Sequence, residues 1–168
     1  IEIAGNADQV ILIAGTNSDW ETEGNDRAEL SLPADQDSLI KAILEANKNT
    51  TVVINTGSPV EMTWIDNADA VIQTWFAGQE FGNALVDIIT GEVNPSGRLP
   101  TTFPKNIADT PAYDCYPGKD AQMNYDEKLL VGYRWYDRKA NDPLFPFGHG
   151  LSYTQFQYSD LEIKMGGS

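Results

Sequence analysis

Cysteine and histidine are nearly missing: Cys115 and His149 are the only ones in 168 residues. A lone cysteine makes neither an internal disulfide nor a Cys-based metal site, and Cys115 reads as a small, partly buried hydrophobe. Any triad or His-based metal site would have to rest on one imidazole. Ser58, Ser96 and Ser152 lack the nucleophile-elbow setting, so His149, set between Gly148 and Gly150, reads as structural. Basic residues are scarce as well. Eleven Lys and Arg stand against 25 Asp and Glu, a net charge of −14 with a pI of about 4.2. That balance disfavours nucleic acid and anionic membrane surfaces as partners and suits a neutral substrate. No apolar run approaches the roughly 18 residues that span a bilayer. Neither G-x-G-x-x-G nor G-x-x-x-x-G-K-[ST] occurs, which disfavours a nucleotide-binding domain. No metal and no cofactor is expected.

What is present suits one domain. The apolar fraction is 41%, enough for one core. Val10-Ile11-Leu12-Ile13-Ala14 is a strand with little alternation, as expected where both faces are covered. Leu39, Ile40, Ile43 and Leu44 recur at helical spacing over 36–46, with Ala34 or Asp35 at the start. Thr51–Asn55 is a second, β-branched strand closed by Thr56-Gly57-Ser58-Pro59. A short helix is expected over 60–67, a third strand over 70–75 and a helix over 80–90 with Gly91 as its C′ residue. Gly78-Gln79-Glu80-Phe81-Gly82 reads as close helix–sheet packing, since Glu80 would repel a phosphate. Leu130–Tyr136 has strand composition, and Tyr153–Ile163 alternates in part. Alternating strands and helices imply an α/β fold, a three-layer sandwich with a mostly parallel sheet flanked by helices.

The most informative segment follows the first strand: Trp20-Glu21-Thr22-Glu23-Gly24-Asn25-Asp26-Arg27. In open α/β sheets, ligands bind outside the carboxyl ends of the strands. A general acid must keep its proton near neutral pH, which burial or a neighbouring carboxylate secures. Glu21 and Glu23, two apart, would project the same way from an extended loop, close enough to perturb each other. Trp20 offers a low-dielectric wall or a platform for a sugar ring, and Asp26 with Arg27 an ion pair to fix the loop. The plain alternative is a solvated acidic loop. Asp19, in Ser18-Asp19-Trp20, suggests a nucleophile, but nothing nearby supplies its second carboxylate.

These residues resemble the acidic loop of family-3 glycoside hydrolases, in particular their β-glucosidases. Further blocks agree in order: Asn55-Thr56-Gly57-Ser58-Pro59-Val60-Glu61-Met62 with Trp64; Trp75–Ala84 with Gly91–Pro100; and Val131-Gly132-Tyr133-Arg134 with Phe145–Thr154. The resemblance implies the C-terminal α/β-sandwich domain of such an enzyme over residues 1–155. Residues 156–168 would begin a fibronectin-like domain or a linker. It implies a retaining β-glucosidase acting on terminal β-D-glucosyl residues of β-glucosides or cello-oligosaccharides. Its Asp nucleophile would lie in an N-terminal barrel domain, so this chain alone would be inactive. Within the chain the resemblance maps the acid/base to Glu23, with Glu21 as the runner-up. Trp20 and Glu21 would bind substrate, and Asp19 is not the nucleophile.

Two departures stand out. Asn25 replaces a usual aromatic before the Asp-Arg pair, and the sandwich's first strand and helix would precede Ile1. The lack of an initiator Met and the linker-like Met165-Gly166-Gly167-Ser168 suggest a fragment or one chain of something larger. Asn49-Thr50-Thr51 permits glycosylation; a secreted location is expected, with an intracellular one also open. The rival function is a non-catalytic carbohydrate-binding or interaction module derived from such a domain.

Overall fold

The computed structural model describes residues 1–164; the linker-like stretch 165–168 lies outside them. Three parallel strands, β1 (Val10–Gly15), β2 (Thr50–Asn55) and β3 (Ala70–Gln73), lie side by side in chain order. Leu12 pairs with Val52 and Ala14 with Ile54, and Val52 in turn with Val71. With a side-chain period of two, these apolar residues share one face. Helix α2 (Gln36–Ala46) buries Ile40 and Leu44 in the core with Ala14, Val52 and Ile54. Leu32, Val60, Met62, Trp64 and Phe103 complete that core. This is the open α/β arrangement, a parallel sheet with flanking helices.

The sheet differs from its sequence reading on its second face. Ile11 and Ile13 are each 53% exposed, so β1 is covered on one side only in this chain. Helix α3 (Phe81–Ile89) buries no residue, and Val86 on it is exposed. Gly82 has open space where a Cβ would stand, so its role is not the close packing expected of it. Gly91 does follow α3 with φ +79°. The third strand ends early because Trp75 takes φ +54°, which turns the chain out of the sheet. The helix expected over 60–67 is only a 3₁₀ turn, Ile65–Asn67.

The C-terminal third departs most. Residues 130–136 are not a strand: Gly132 caps helix α4 (Tyr133–Lys139), and Arg138 and Lys139 sit in its last turn, where cations complement the helix dipole. A short helix α1 (Glu2–Gly5) opens the chain. The stretch 153–163 forms no strand. No helix among the described residues is long and apolar enough to cross a membrane.

Tyr136 is buried, and burial followed by the charge of Asp109 pushes its phenol above the ordinary tyrosine value. The folded chain therefore holds that proton to higher pH than the unfolded chain does. The resulting stability is complete below about pH 10, the unfolded value, and is lost as pH rises through the folded one. Thermal melts should show a falling midpoint above about pH 10, and Tyr136→Phe should flatten that fall. An identical slope in the variant would rule Tyr136 out as its source.

Candidate active site

The acidic loop is pinned where it leaves the sheet and where it returns. Gln36, the first residue of α2, donates from Nε2 to the Gly15 carbonyl at 2.9 Å and accepts at Oε1 from the Gly15 amide at 2.8 Å. The end of β1 and the start of α2 are thereby tied together, and residues 16–35 close a loop over the carboxyl edge of the sheet. Gly15 itself must lack a side chain, because a Cβ there would strike the Asn55 carbonyl of β2.

Within the loop, Asn17 makes an Asx turn. Its Oδ1 accepts from the amides of Asp19 and Trp20, both at 3.1 Å. The turn aims Glu21 inward and leaves Asp19 exposed. Glu21 Oε1 accepts from Thr16 Oγ1 at 2.6 Å and from the Gly57 amide at 3.1 Å. Arg27 Nη1 lies 4.0 Å from the same oxygen, with side-chain exposures of 14% for Arg27 and 15% for Glu21. Arg27 Nη2 donates to the Pro59 carbonyl at 3.1 Å. Burial pushes the Arg27 guanidinium below its ordinary value, and Glu21 pushes it back up. The pair thus stitches the loop after β1 to the loop after β2.

Gly57 leaves room for this carboxylate. A Cβ there would lie 2.5 Å from Glu21 Oε2 and 2.7 Å from Phe76 Cε2. Gly57→Ala should therefore displace both side chains and cost about 1–3 kcal/mol, as overpacking does. Chemical denaturation would read it, and an unchanged midpoint would contradict the packing.

Glu23 has a different setting. Thr22 and Asn25 form an antiparallel bridge, and Gly24 has φ +85°. That places Glu23 and Gly24 at the centre of a tight turn, where a positive φ in the second position favours glycine. Glu23 is exposed at the tip, and among the described residues no hydrogen bond or ion pair holds its carboxylate. Glu21 and Glu23 therefore do not project the same way: one is anchored inward and the other stands free. The Asp26–Arg27 pair does not form either. Asp26 Oδ1 accepts instead from the Tyr116 hydroxyl at 2.8 Å, and that hydrogen bond, with the carboxylate's charge, raises the Tyr116 phenol above its usual value. Trp20 is half-buried, and its Nε1 finds no partner among the described residues. A shallow cavity of about 250 Å³ runs between Trp20, Glu21, Thr22, Asp26, Arg27 and Ser58.

Thr16, Gln36, Gly57 and Tyr116 shape this site without having stood out in the sequence. Gly57 was legible as part of a turn. Tyr116 lies 90 residues from Asp26, and no local pattern joins them. His149 lies away from the loop: its ring stacks on Phe145 at 4.9 Å and its carbonyl accepts from the Leu99 amide at 2.8 Å.

Residues 1–153 match the family model described as the glycosyl hydrolase family 3 C-terminal domain. The chain is 48% identical over 160 residues to thermostable beta-glucosidase B of Acetivibrio thermocellus, covering 95% of this chain and 21% of that protein. A crystal structure of a beta-glucosidase from Kluyveromyces marxianus superposes with a TM-score of 0.91 at 41% identity, covering 97% of this chain and 20% of that one. DesR, a beta-glucosidase from Streptomyces venezuelae solved in complex with D-glucose, gives a TM-score of 0.84 at 44% identity over 93% of this chain and 20% of its own. The chain spans about one fifth of the length of these relatives. With its parallel sheet and the loop at the sheet's carboxyl edge, the chain belongs to the glycosyl hydrolase family 3 C-terminal domain family.

Proposed function

We propose that this chain is the acid/base-bearing part of a retaining β-glucosidase that hydrolyses terminal β-D-glucosyl residues. The observation that carries the reading is Glu23 on a solvent-facing turn in the loop that follows β1, in a chain that over 95% of its own length is 48% identical to a β-glucosidase. Glu23 is free to meet a ligand, whereas Glu21 is engaged by Thr16, Gly57 and Arg27. Glu23 is thus the carboxylate placed to reach a glycosidic oxygen, with burial under the substrate and the N-terminal domain securing its proton, and Glu21 the support that sets the loop against the sheet. Trp20 walls the cavity beside them and takes the sugar.

Retaining glycosidases set two carboxyl groups about 5–5.5 Å apart across the scissile bond. One attacks the anomeric carbon and the glycosidic oxygen leaves with a proton from the other. That second group then takes a proton from the water that releases the sugar. In this reading Glu23 performs both proton transfers. The attacking aspartate comes from an N-terminal domain of the same polypeptide, and residues from about 156 onward lead into a further domain. Secretion belongs to the same reading; the sequon at Asn49 would permit glycosylation in that setting, although Asn49 Nδ2 already donates to the Asp8 carbonyl at 2.6 Å.

The test is stereochemical. The full-length enzyme should release the β-anomer of glucose first, seen by ¹H NMR before mutarotation, and the 168-residue chain alone should release nothing from a nitrophenyl β-glucoside. First-formed α-glucose, or hydrolysis by the chain alone, would overturn the reading. A carbohydrate-binding module without catalysis would give no product in either form.

A further inference from the structure

A cavity of about 470 Å³, larger than the one beside the acidic loop, lies at α4. It is built from different elements than the acidic loop. Tyr133, Tyr136 and Asp137 of α4 form one side, Asn141 and Asp142 follow the helix, and Thr102 and Pro146 close the other. Tyr133 and Tyr136 stand three apart, which puts them on one helix face. Ala140 takes φ +50° at the end of α4 and turns the chain so that Asp142 and Pro143 return to the cavity wall.

Three observations bear on what would fill it. First, Thr102 is 8% exposed, and its buried Oγ1 finds no hydrogen-bond partner among the described residues. A buried hydroxyl without a partner is an unmet cost that a ligand hydroxyl would relieve. Second, Asp137 and Asp142 line the cavity, and neither is in an ion pair among the described residues. Of the cations of α4, Lys139 lies over the Trp135 ring at 4.7 Å, while Arg134 lies over the ring of Tyr133, in the cavity wall, at 5.3 Å. Third, the described residues contain no cluster of three or more His, Cys, Asp or Glu that would hold a metal ion.

Two wall aspartates against one nearby guanidinium leave the cavity unfavourable to an anion. Tyrosine and proline walls with a few convergent polar groups suit a compact neutral molecule that has both C–H faces and hydroxyl donors. We propose that this cavity binds a neutral sugar residue at a site separate from the Glu23 turn, with Asp137 and Asp142 accepting its hydroxyls and Thr102 exchanging a hydrogen bond with it. The space admits about one or two pyranose rings. The site serves to hold a glycan chain, not to cleave it. It does not depend on the acid/base role of Glu23.

The experiment uses the full-length enzyme after treatment with a 2-deoxy-2-fluoro-β-glucoside, which occupies the catalytic centre of a retaining glucosidase. Equilibrium dialysis with cellotetraose then reads the remaining binding. Saturable binding that weakens about tenfold or more in Asp137→Ala and in Thr102→Val, with aryl-glucoside hydrolysis of the untreated variants unchanged, is the expected result. Asp142→Asn, a smaller change, keeps the test usable if either variant fails to fold, and should also weaken binding. Absence of cellotetraose binding in the treated enzyme, or binding indifferent to all three changes, would overturn the site. If the fluoroglucoside does not inactivate the enzyme, the catalytic reading fails instead, and the same dialysis with a non-hydrolysable thio-linked cello-oligosaccharide on untreated protein still decides the cavity.

Discussion

Replacing Glu23 with glutamine in the full-length enzyme is expected to slow cellobiose hydrolysis by about 10²–10⁴-fold, the range a positioned general acid contributes. The size of the effect should follow the leaving group. Glucose is a poor leaving group and needs the proton, so bond cleavage suffers fully. A dinitrophenolate leaves unaided, so formation of the glycosyl-enzyme is spared. The second step still lacks its base, and water attacks slowly. A rapid burst of dinitrophenol followed by a slow steady rate is therefore expected, with kcat reduced far more than kcat/KM. Glutamine keeps the size of Glu23, and the side chain is exposed with no partner among the described residues, so the fold should be untouched. Unimpaired cellobiose turnover would remove Glu23 from the chemistry. In that case Glu21 would be next, although its engagement with Thr16, Gly57 and Arg27 makes it a poorer donor.

The largest expected effect on stability lies at Trp64. Its side chain is 1% exposed, and its Nε1 donates to Asp37 Oδ1 at 2.8 Å. The other oxygen of Asp37 accepts from the Leu32 amide at 3.0 Å. Trp64 therefore fills the core under α2 and also completes a polar link from the first turn of that helix to the end of the acidic loop. Trp64→Ala should cost about 3–5 kcal/mol for the lost burial and the cavity. The unpaired Asp37 oxygen adds to this. Trp64→Phe keeps most of the ring and should cost less. Urea denaturation of both variants would show the order. Equal costs would mean that Trp64 acts through its indole N–H alone, and a negligible cost for alanine would contradict its place in the core.

The sequence made the first half of the fold legible because local rules there agree with the tertiary result. The apolar run 10–14, the helical spacing of Ile40, Ile43 and Leu44, and the β-branched Thr51–Asn55 all appear at the expected places. Leu130–Tyr136 misleads because aromatic and β-branched residues favour strands. Its helix signals are subtler: Tyr133 and Tyr136 at a spacing of three, Gly132 before them, and basic residues at the C-terminal end. Nothing local reveals that β1 keeps Ile11 and Ile13 exposed, since an unbroken apolar run looks the same whether one face or two are covered.

The site divides the same way. That the acidic loop follows a strand and faces the sheet's carboxyl edge could be read from the chain. Which carboxylate is anchored could not, because the anchors come from Gly57, 36 residues away, and from a loop geometry set by Asn17. The Asp26–Arg27 pair was the obvious local choice, yet Tyr116 and Glu21 take its members. Long-range partners prevail here because Arg27 is half-buried at the base of the loop while Asp26 is exposed.

The central claim is that Glu23 supplies the proton and the base while the attacking carboxylate lies elsewhere in the polypeptide. Glu23→Ala in the full-length enzyme leaves a gap where a small anion can enter. With an aryl β-glucoside and sodium azide, the glycosyl-enzyme should be captured without base assistance, restoring turnover and yielding β-glucosyl azide identified by NMR. Azide acceleration with the β-configured product is the predicted result. No acceleration and no glucosyl azide from Glu23→Ala, with the same treatment rescuing Glu21→Ala, would contradict it.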